Sequence, residues 1–264
     1  MTKAKDGLGQ ALRQTKNIVR NAMRSRNAGE MTLKVTRRLE RSSQHFASNW
    51  AAKHAHPIDS FCEDLDPKLW HESREFGLTL KAYGAQRLAG VDVDLGGGGA
   101  YTYLHFFTRF LRPATVLETG VAAGWSSYAL LAALEQNDRG RLLSSDFPYF
   151  RMKNPNEHIG MLVPNQLRHR WTLDLSGDRR ALPRLLLGVS KLDLVHYDSD
   201  KSYRGRNNTM SLLDSYLSPE TLIIMDDIQD NRFFHDWVVS GRRGFRIFEF
   251  EGKYVGMSGG PVSS

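Results

Sequence analysis

Two segments of this 264-residue chain hold the side chains best suited to chemistry: Leu194-Val-His-Tyr-Asp-Ser-Asp-Lys-Ser-Tyr203 and Leu222-Ile-Ile-Met-Asp-Asp-Ile228. Each begins as a short apolar run of strand character and ends on carboxylates, Asp198 in the first and Asp226 with Asp227 in the second. Hard oxygen donors gathered in this way suit Mg²⁺, Mn²⁺ or Ca²⁺. A divalent cation there would hold a hydroxyl group and lower its pKa, which makes the oxygen a nucleophile. Plainer readings stand beside this one. Asp227 would cap the helix that follows, Asp198 would pair with Arg204 or Lys201, and Lys201 would be solvated in a loop. His196 lies inside the first apolar run, where an imidazole is a core or supporting group. His235 follows the Asp pair closely enough to reach the mouth of a pocket and is a reserve base.

A third segment, Thr115-Val-Leu-Glu-Thr-Gly-Val-Ala-Ala-Gly-Trp-Ser-Ser127, is a short apolar strand with the acidic Glu118, two glycines (Gly120 and Gly124) and the start of a helix. Strand, glycine turn and helix in that order bring backbone close to a nucleotide, and glycine is needed because a Cβ would block the turn or the ligand. A dinucleotide fingerprint needs G-x-G-x-x-G, but Ala122 holds the middle place. A P-loop needs Gly-Lys, but Trp125 follows Gly124. What remains is E-x-G-x-x-x-G-x-S, ending on Ser126, with no lysine to meet a phosphate. It points to an adenosine-type cofactor; a plain tight turn is the alternative. Asp146 lies 22 residues after Gly124 at the end of the next apolar run. That spacing suits a carboxylate accepting both hydroxyls of a ribose, and a cap or turn residue is the other reading. Asp178 follows Gly177 in what is also an ordinary turn pair.

The glycine segment resembles the first motif of class I S-adenosylmethionine-dependent methyltransferases. The two carboxylate segments are similar to those of the metal-dependent small-molecule O-methyltransferases of catechol, macrolide and rhamnosyl type. The resemblance covers about residues 96–257. It implies S-adenosylmethionine as cofactor, with Glu118 near the methionine ammonium and Gly120, Gly124 and Ser126 in the binding turn. Asp146 would meet the ribose and Asp178 the adenine amino group. It further implies Mg²⁺ or another divalent cation on Asp198, Asp226 and Asp227. Lys201 takes the place of the general base, where the sugar enzymes often carry His. A lysine base has to be depressed toward neutral pH by a nearby cation or by burial. The reaction implied is methyl transfer to a hydroxyl of a small molecule or sugar. Two rivals remain: a metal-independent methyltransferase whose carboxylates serve structure, and a non-catalytic binding protein of the same fold.

Such residues need a frame to bring them together. From Thr115 strand and helix alternate, with strands at 115–119, 141–145, 171–175, 192–197, 221–225, 245–250 and 253–257 and a hairpin turn at Glu251-Gly252. The alternation predicts an α/β protein: a doubly wound, mostly parallel, seven-stranded Rossmann-like sheet ending in an antiparallel hairpin. Ligands of such sheets bind beyond the carboxyl ends of the strands, where each acidic candidate falls. Residues 1–95 read as a basic helical N-terminal extension and 96–264 as the catalytic domain, entered through Gly96-Gly-Gly-Gly99 as a flexible joint.

Charge is concentrated at one end. Residues 1–60 carry 12 Lys and Arg against 4 Asp and Glu, while the whole chain is +7, so the remaining residues balance near −1. Leu8, Leu12, Thr15, Val19 and Met23 recur at helical spacing among basic residues, a basic amphipathic pattern. It suits weak contact of residues 1–60 with an anionic membrane or nucleic acid, a transit peptide, or packing on the domain or on a second copy in a homodimer. No apolar run approaches the roughly 18 residues of a membrane span, and the N-terminus lacks a signal-peptide core. Cys62 stands alone, so an internal disulfide and a cysteine zinc site are excluded. Cytoplasmic residence is the expectation.

Overall fold

The computed structural model describes residues 43–91, 97–147 and 155–262. In chain order the elements are α1 (Gln44–His54), α2 (Asp59–Leu65), α3 (Pro67–Leu88), α4 (Tyr101–Leu111), β1 (Thr115–Thr119), α5 (Trp125–Gln136), β2 (Arg141–Ser145), α6 (Pro155–His158), β3 (Trp171–Asp174), α7 (Asp178–Leu185), β4 (Leu194–Tyr197), α8 (Tyr203–Leu213), β5 (Leu222–Met225), α9 (Phe233–Ser240), β6 (Phe245–Phe250) and β7 (Lys253–Ser258).

The strands form one sheet in the order β3-β2-β1-β4-β5-β7-β6, parallel except for β7. The order reverses between β1 and β4, the crevice where open α/β sheets bind ligands. Every residue of β4 and β5 is buried, as expected of central parallel strands covered on both faces. Side chains of successive residues point to opposite faces, and the core divides accordingly. Val116, Leu142, Leu194 and Ile224 pack with α4 and α5. Their neighbours Leu117, Leu143, Val195 and Ile223 pack with α7, α8 and α9.

The seven strands appear where strand periodicity places them, within a residue or two at the ends. Glu251 and Gly252 take φ +49° and +79°, the pair of positive values that a two-residue hairpin turn demands. α7 starts at Asp178, directly after Gly177. Gly177, at φ +80°, turns the chain, and an acidic residue in the first turn suits the positive end of a helix.

Of the expected N-terminal extension, residues 43–91 form α1, α2 and α3. Asp66 starts α3 by accepting a hydrogen bond from the Leu69 N–H at 2.9 Å, with Pro67 in the first helical position. Ile58, Cys62, Leu69 and Trp70 join the same apolar cluster as α4 and α5, so this portion is continuous with the core of the sheet. Between α1 and α2 the His56 N–H donates to the Ile247 carbonyl of edge strand β6 at 2.9 Å. The amphipathic pattern at residues 8–23 lies outside the described residues.

Gly98 and Gly99 make a packed crossing. A Cβ on Gly98 would stand 3.0 Å from the Trp125 Cβ, and one on Gly99 would stand 2.7 Å from the Asp226 carboxylate. The chain passes so close to the rim of the sheet that only glycine fits, so the joint expected at 96–99 is, over Gly98 and Gly99, a tight contact. No described helix is long and apolar enough to cross a membrane.

Candidate active site

The turn after β1 is built from the inside. The Glu118 carboxylate has no solvent exposure and accepts hydrogen bonds from Ser126 (2.6 Å), Ser127 (2.7 Å) and Ser144 (2.8 Å). Three hydroxyl donors offset the cost of burying that charge and fix the first turn of α5 to β1 and β2. Glu118 and Ser126, both expected to line the cofactor site, are brought together here, and what they bind is each other. Gly120 (φ +84°) lets the turn approach the loop after β4, because a Cβ there would lie 2.6 Å from the Asp198 carbonyl. Gly124 (φ +97°) lies against Gly160 in the same way.

Asp146, at the end of β2, reaches this turn. Its Oδ2 accepts from the backbone N–H groups of Val121 (3.1 Å) and Ala122 (2.8 Å). Asp178 ties the end of β2 to the loop after β4, accepting from the hydroxyls of Ser145 (2.7 Å) and Ser199 (2.5 Å). Glu118, Gly120, Gly124, Ser126, Asp146 and Asp178 thus share one rim at the switch point.

On the neighbouring part of that rim Lys201 is gripped by two carboxylates. Its Nζ donates to Asp198 Oδ1 and forms an ion pair with Asp227 Oδ2 at 2.8 Å, and Lys253 Nζ lies 3.7 Å from Asp227 Oδ1. Burial pulls the Lys201 pKa below the usual lysine range, with Asp227 and Asp226 opposing part of that effect. Burial would raise the Asp227 carboxyl, but Lys201, Lys253 and Arg206 outweigh it and hold the pKa below the ordinary value. Asp227 itself sits at φ +53°. The Arg206 guanidinium, with no solvent exposure, donates to the carbonyls of Asp226 (3.0 Å) and Asp227 (2.8 Å) and so clamps the bend that aims Asp227 at Lys201.

Asp226 turns inward. His196, fully buried in β4, lies between two carboxylates: Nε2 is 3.6 Å from Asp226 Oδ1 and Nδ1 is 3.7 Å from Glu118 Oε1. These separations are ion-pair contacts, longer than hydrogen bonds. Burial would lower the imidazole pKa, but Asp226 and Glu118 outweigh it and push it up to about 9. His196 therefore links the turn after β1 to the end of β5.

The expected metal ligands do not converge as a set. The Lys201 ammonium stands between Asp198 and Asp227, while Asp226 faces His196 beneath Gly99. Among the described residues, no group of three or more His, Cys, Asp or Glu side chains is disposed to hold a metal ion. In this arrangement the three carboxylates do not fit a divalent cation. His235 is also placed elsewhere. Its ring packs edge-on against Phe46 and Trp50 of α1, at 5.0 and 4.9 Å between centroids, and its Nδ1 lies 2.7 Å from Asp236. No contact joins it to Lys201 among the described residues.

One residue of the site, Arg206, escaped the sequence reading. His196, expected as a core or supporting group, is buried in β4 between Glu118 and Asp226. Arg206 shares a helical face with Thr209, Met210 and Leu213, all buried; a charged residue at helical spacing with apolar ones was the available signal.

A family model for a methyltransferase domain matches residues 117–228, from within β1 to just past the Asp226–Asp227 pair. The chain superposes on the O-methyltransferase TomG of Streptomyces achromogenes, involved in tomaymycin synthesis and solved in complex with SAM. Identity is 20%, coverage is 68% of this chain and 88% of that one, and the TM-score is 0.53. The O-methyltransferase from Bacillus cereus in complex with SAH aligns at 16% identity over 79% of this chain and 99% of that one, with TM-score 0.50. A methyltransferase from Geobacter sulfurreducens aligns at 17% identity over 69% and 88%, with TM-score 0.52. These likenesses establish the Rossmann-like fold. No curated protein sequence matches the chain.

Proposed function

The chain carries a methyltransferase domain, and on that premise we propose that it is an S-adenosylmethionine-dependent O-methyltransferase acting on a hydroxyl of a small molecule or sugar. The observation that carries the acceptor side is Lys201, an amine gripped by Asp198 and Asp227 at the rim where the turn after β1 meets the loop after β4.

The rim suits S-adenosylmethionine by its chemistry. The turn from Gly120 to Gly124 contains no Lys or Arg, and its surroundings are acidic, which favours a ligand with positive charge and no phosphate. Asp146 would hold the ribose hydroxyls and Asp178 would lie at the adenine end, while Glu118 and Ser126 keep the turn in shape from beneath. When bound, the cofactor supplies a methyl group activated by a sulfonium.

The remaining work falls to the protein. Lys201 acts from its neutral amine form, which burial favours, and Nζ accepts the proton of the acceptor hydroxyl. The O–H bond breaks, an N–H bond forms, and Asp198 and Asp227 stabilise the ammonium that results. Arg206 keeps Asp227 on station through the backbone. Gly98 and Gly99 lay main chain over Trp125 and Asp226, which shields the inner part of the rim from water. Holding both reactants in line accounts for the rest of the acceleration.

This reading assigns no step to a metal. A second reading has a divalent cation on Asp198 and Asp227, and what favours it is that both carboxylates already converge on one positive charge. The test is turnover of hydroxylated acceptors, followed as S-adenosylhomocysteine, with protein dialysed against EDTA. Undiminished turnover supports Lys201 alone; loss restored by Mg²⁺ returns the metal. A folded protein that binds neither S-adenosylmethionine nor S-adenosylhomocysteine would overturn both readings in favour of a non-catalytic binding role.

A further inference from the structure

Lys253 opens β7 and has no task in the proton transfer described above. β7 meets β5 with Gly256 opposite Met225, the last residue of β5. The residues before Gly256 therefore run past the carboxyl end of β5, onto the rim that holds Asp227. Gln229 fixes them there: its Nε2 donates to Asp227 Oδ1 at 3.2 Å, and its Oε1 accepts from the Tyr254 N–H at 3.0 Å. The hairpin turn is anchored as well, because Glu251 accepts from Lys81 Nζ (2.9 Å) and from the Tyr101 hydroxyl (3.2 Å). Glu251 is thus committed elsewhere, and Lys253 is left without the carboxylate nearest to it in sequence.

Asp227 does not use up the Lys253 charge either. Both of its oxygens already have partners, Lys201 on Oδ2 at 2.8 Å and Gln229 on Oδ1. Lys253 Nζ stands 3.7 Å from Oδ1, close enough for attraction and too far for a hydrogen bond. Among the described residues its ammonium donates no hydrogen bond, and its side chain keeps 44% of its exposure. Lys201 and Lys253 therefore flank the two oxygens of one carboxylate, the first as the base and the second as an accessible cation beside it with three donors to offer.

A cation so placed suits an acceptor with an anionic group close to the hydroxyl that is methylated. Asp198, Asp227 and Asp230 stand in the same two loops, so a phosphomonoester, with about −1.5 to −2 charges, would meet more repulsion there than a carboxylate with one. We propose that Lys253 is a specificity-determining residue that pairs with a carboxylate on the acceptor, which makes the acceptor a hydroxy acid. The inference rests on the O-methyl transfer assigned above and narrows its substrate class. Lys253 exchanges no proton with the acceptor, so its loss falls on KM rather than on kcat.

The test compares acids with their neutral counterparts on one enzyme: 3,4-dihydroxybenzoate against 3,4-dihydroxybenzamide, and glucuronate against glucose. Affinity is read by calorimetry with S-adenosylhomocysteine present, and KM and kcat by turnover with S-adenosylmethionine. Wild type is expected to prefer the acid of at least one pair by about tenfold or more in Kd or KM. Lys253→Met is expected to abolish that preference while keeping its affinity for S-adenosylhomocysteine and its unfolding midpoint, and Lys253→Arg to restore most of it. No preference for either acid in wild type, the same preference in Lys253→Met, or a loss confined to kcat overturns the proposal. Wild type that binds no S-adenosylhomocysteine in these titrations overturns the underlying methyl transfer instead, so the two failures are told apart.

Discussion

In the proposed mechanism Lys201 is the residue on which the reaction turns, and a methionine of similar length isolates its amine. Lys201→Met is expected to lower kcat by about 10²–10⁴, the range of a lost general base, while calorimetry shows S-adenosylmethionine still bound. An unchanged kcat would remove Lys201 from the mechanism. His196 makes a prediction of a different kind. Its pKa is raised from 6.5 to about 9 by Asp226 and Glu118, whose effect exceeds the opposing one of burial. Its contribution to stability is therefore complete below about pH 6.5 and lost as pH rises through about 9, on the order of a few kcal/mol. Denaturant melts of wild type should weaken across that window, and His196→Gln should show a flatter profile; identical profiles would refute the charged pairing. The carboxylates were legible because they end apolar runs, where no core explains a charge, and Lys201 through the resemblance that puts a base three residues after Asp198. Arg206 was not, because a single arginine in a helix reads as solvated until the helix is seen to bury that face. His235 shows the converse: nearness in sequence to Asp227 told nothing of direction, and α9 turns the ring toward α1.

At the scale of elements, the alternation of strand and helix was readable because parallel strands buried on both faces leave continuous apolar runs. The glycines were harder. A run of four reads as slack, and only the neighbours brought in by the fold show that Gly98 and Gly99 lie in contact. The same holds for Gly84 of α3, where a Cβ would fall 2.0 Å from the Trp125 ring. Gly84→Ala should therefore cost about 1–3 kcal/mol by overpacking, seen as a lower unfolding midpoint with altered tryptophan fluorescence; a neutral effect would mean α3 is loosely seated on α5. Gly99→Ala would bring a Cβ 2.7 Å from Asp226 and 3.0 Å from His196 Nε2. Its expected result is a fall in turnover larger than its fall in stability, read by kinetics and melts on the same preparation.

Across the whole molecule, charge is divided. Residues 1–25 alone hold six Lys and Arg against one Asp, and removing them takes away a net charge of +5. That truncation is expected to weaken binding to anionic liposomes or nucleic acid while leaving S-adenosylmethionine affinity intact; unchanged binding would favour packing of the arm on the domain or on a second copy, which size-exclusion chromatography of the same protein would reveal. Sequence could show this imbalance but not where the arm meets the sheet, since a bond such as His56 to Ile247 joins residues nearly two hundred positions apart. That bond has a further bearing. β6 is the outermost strand on its side, and bare strand edges recruit other chains. A shortened protein starting at residue 57 would retain every group of the catalytic rim and still expose a ready template for self-association. Its first failure would be precipitation, so the smallest well-behaved version of this protein must begin upstream of His56.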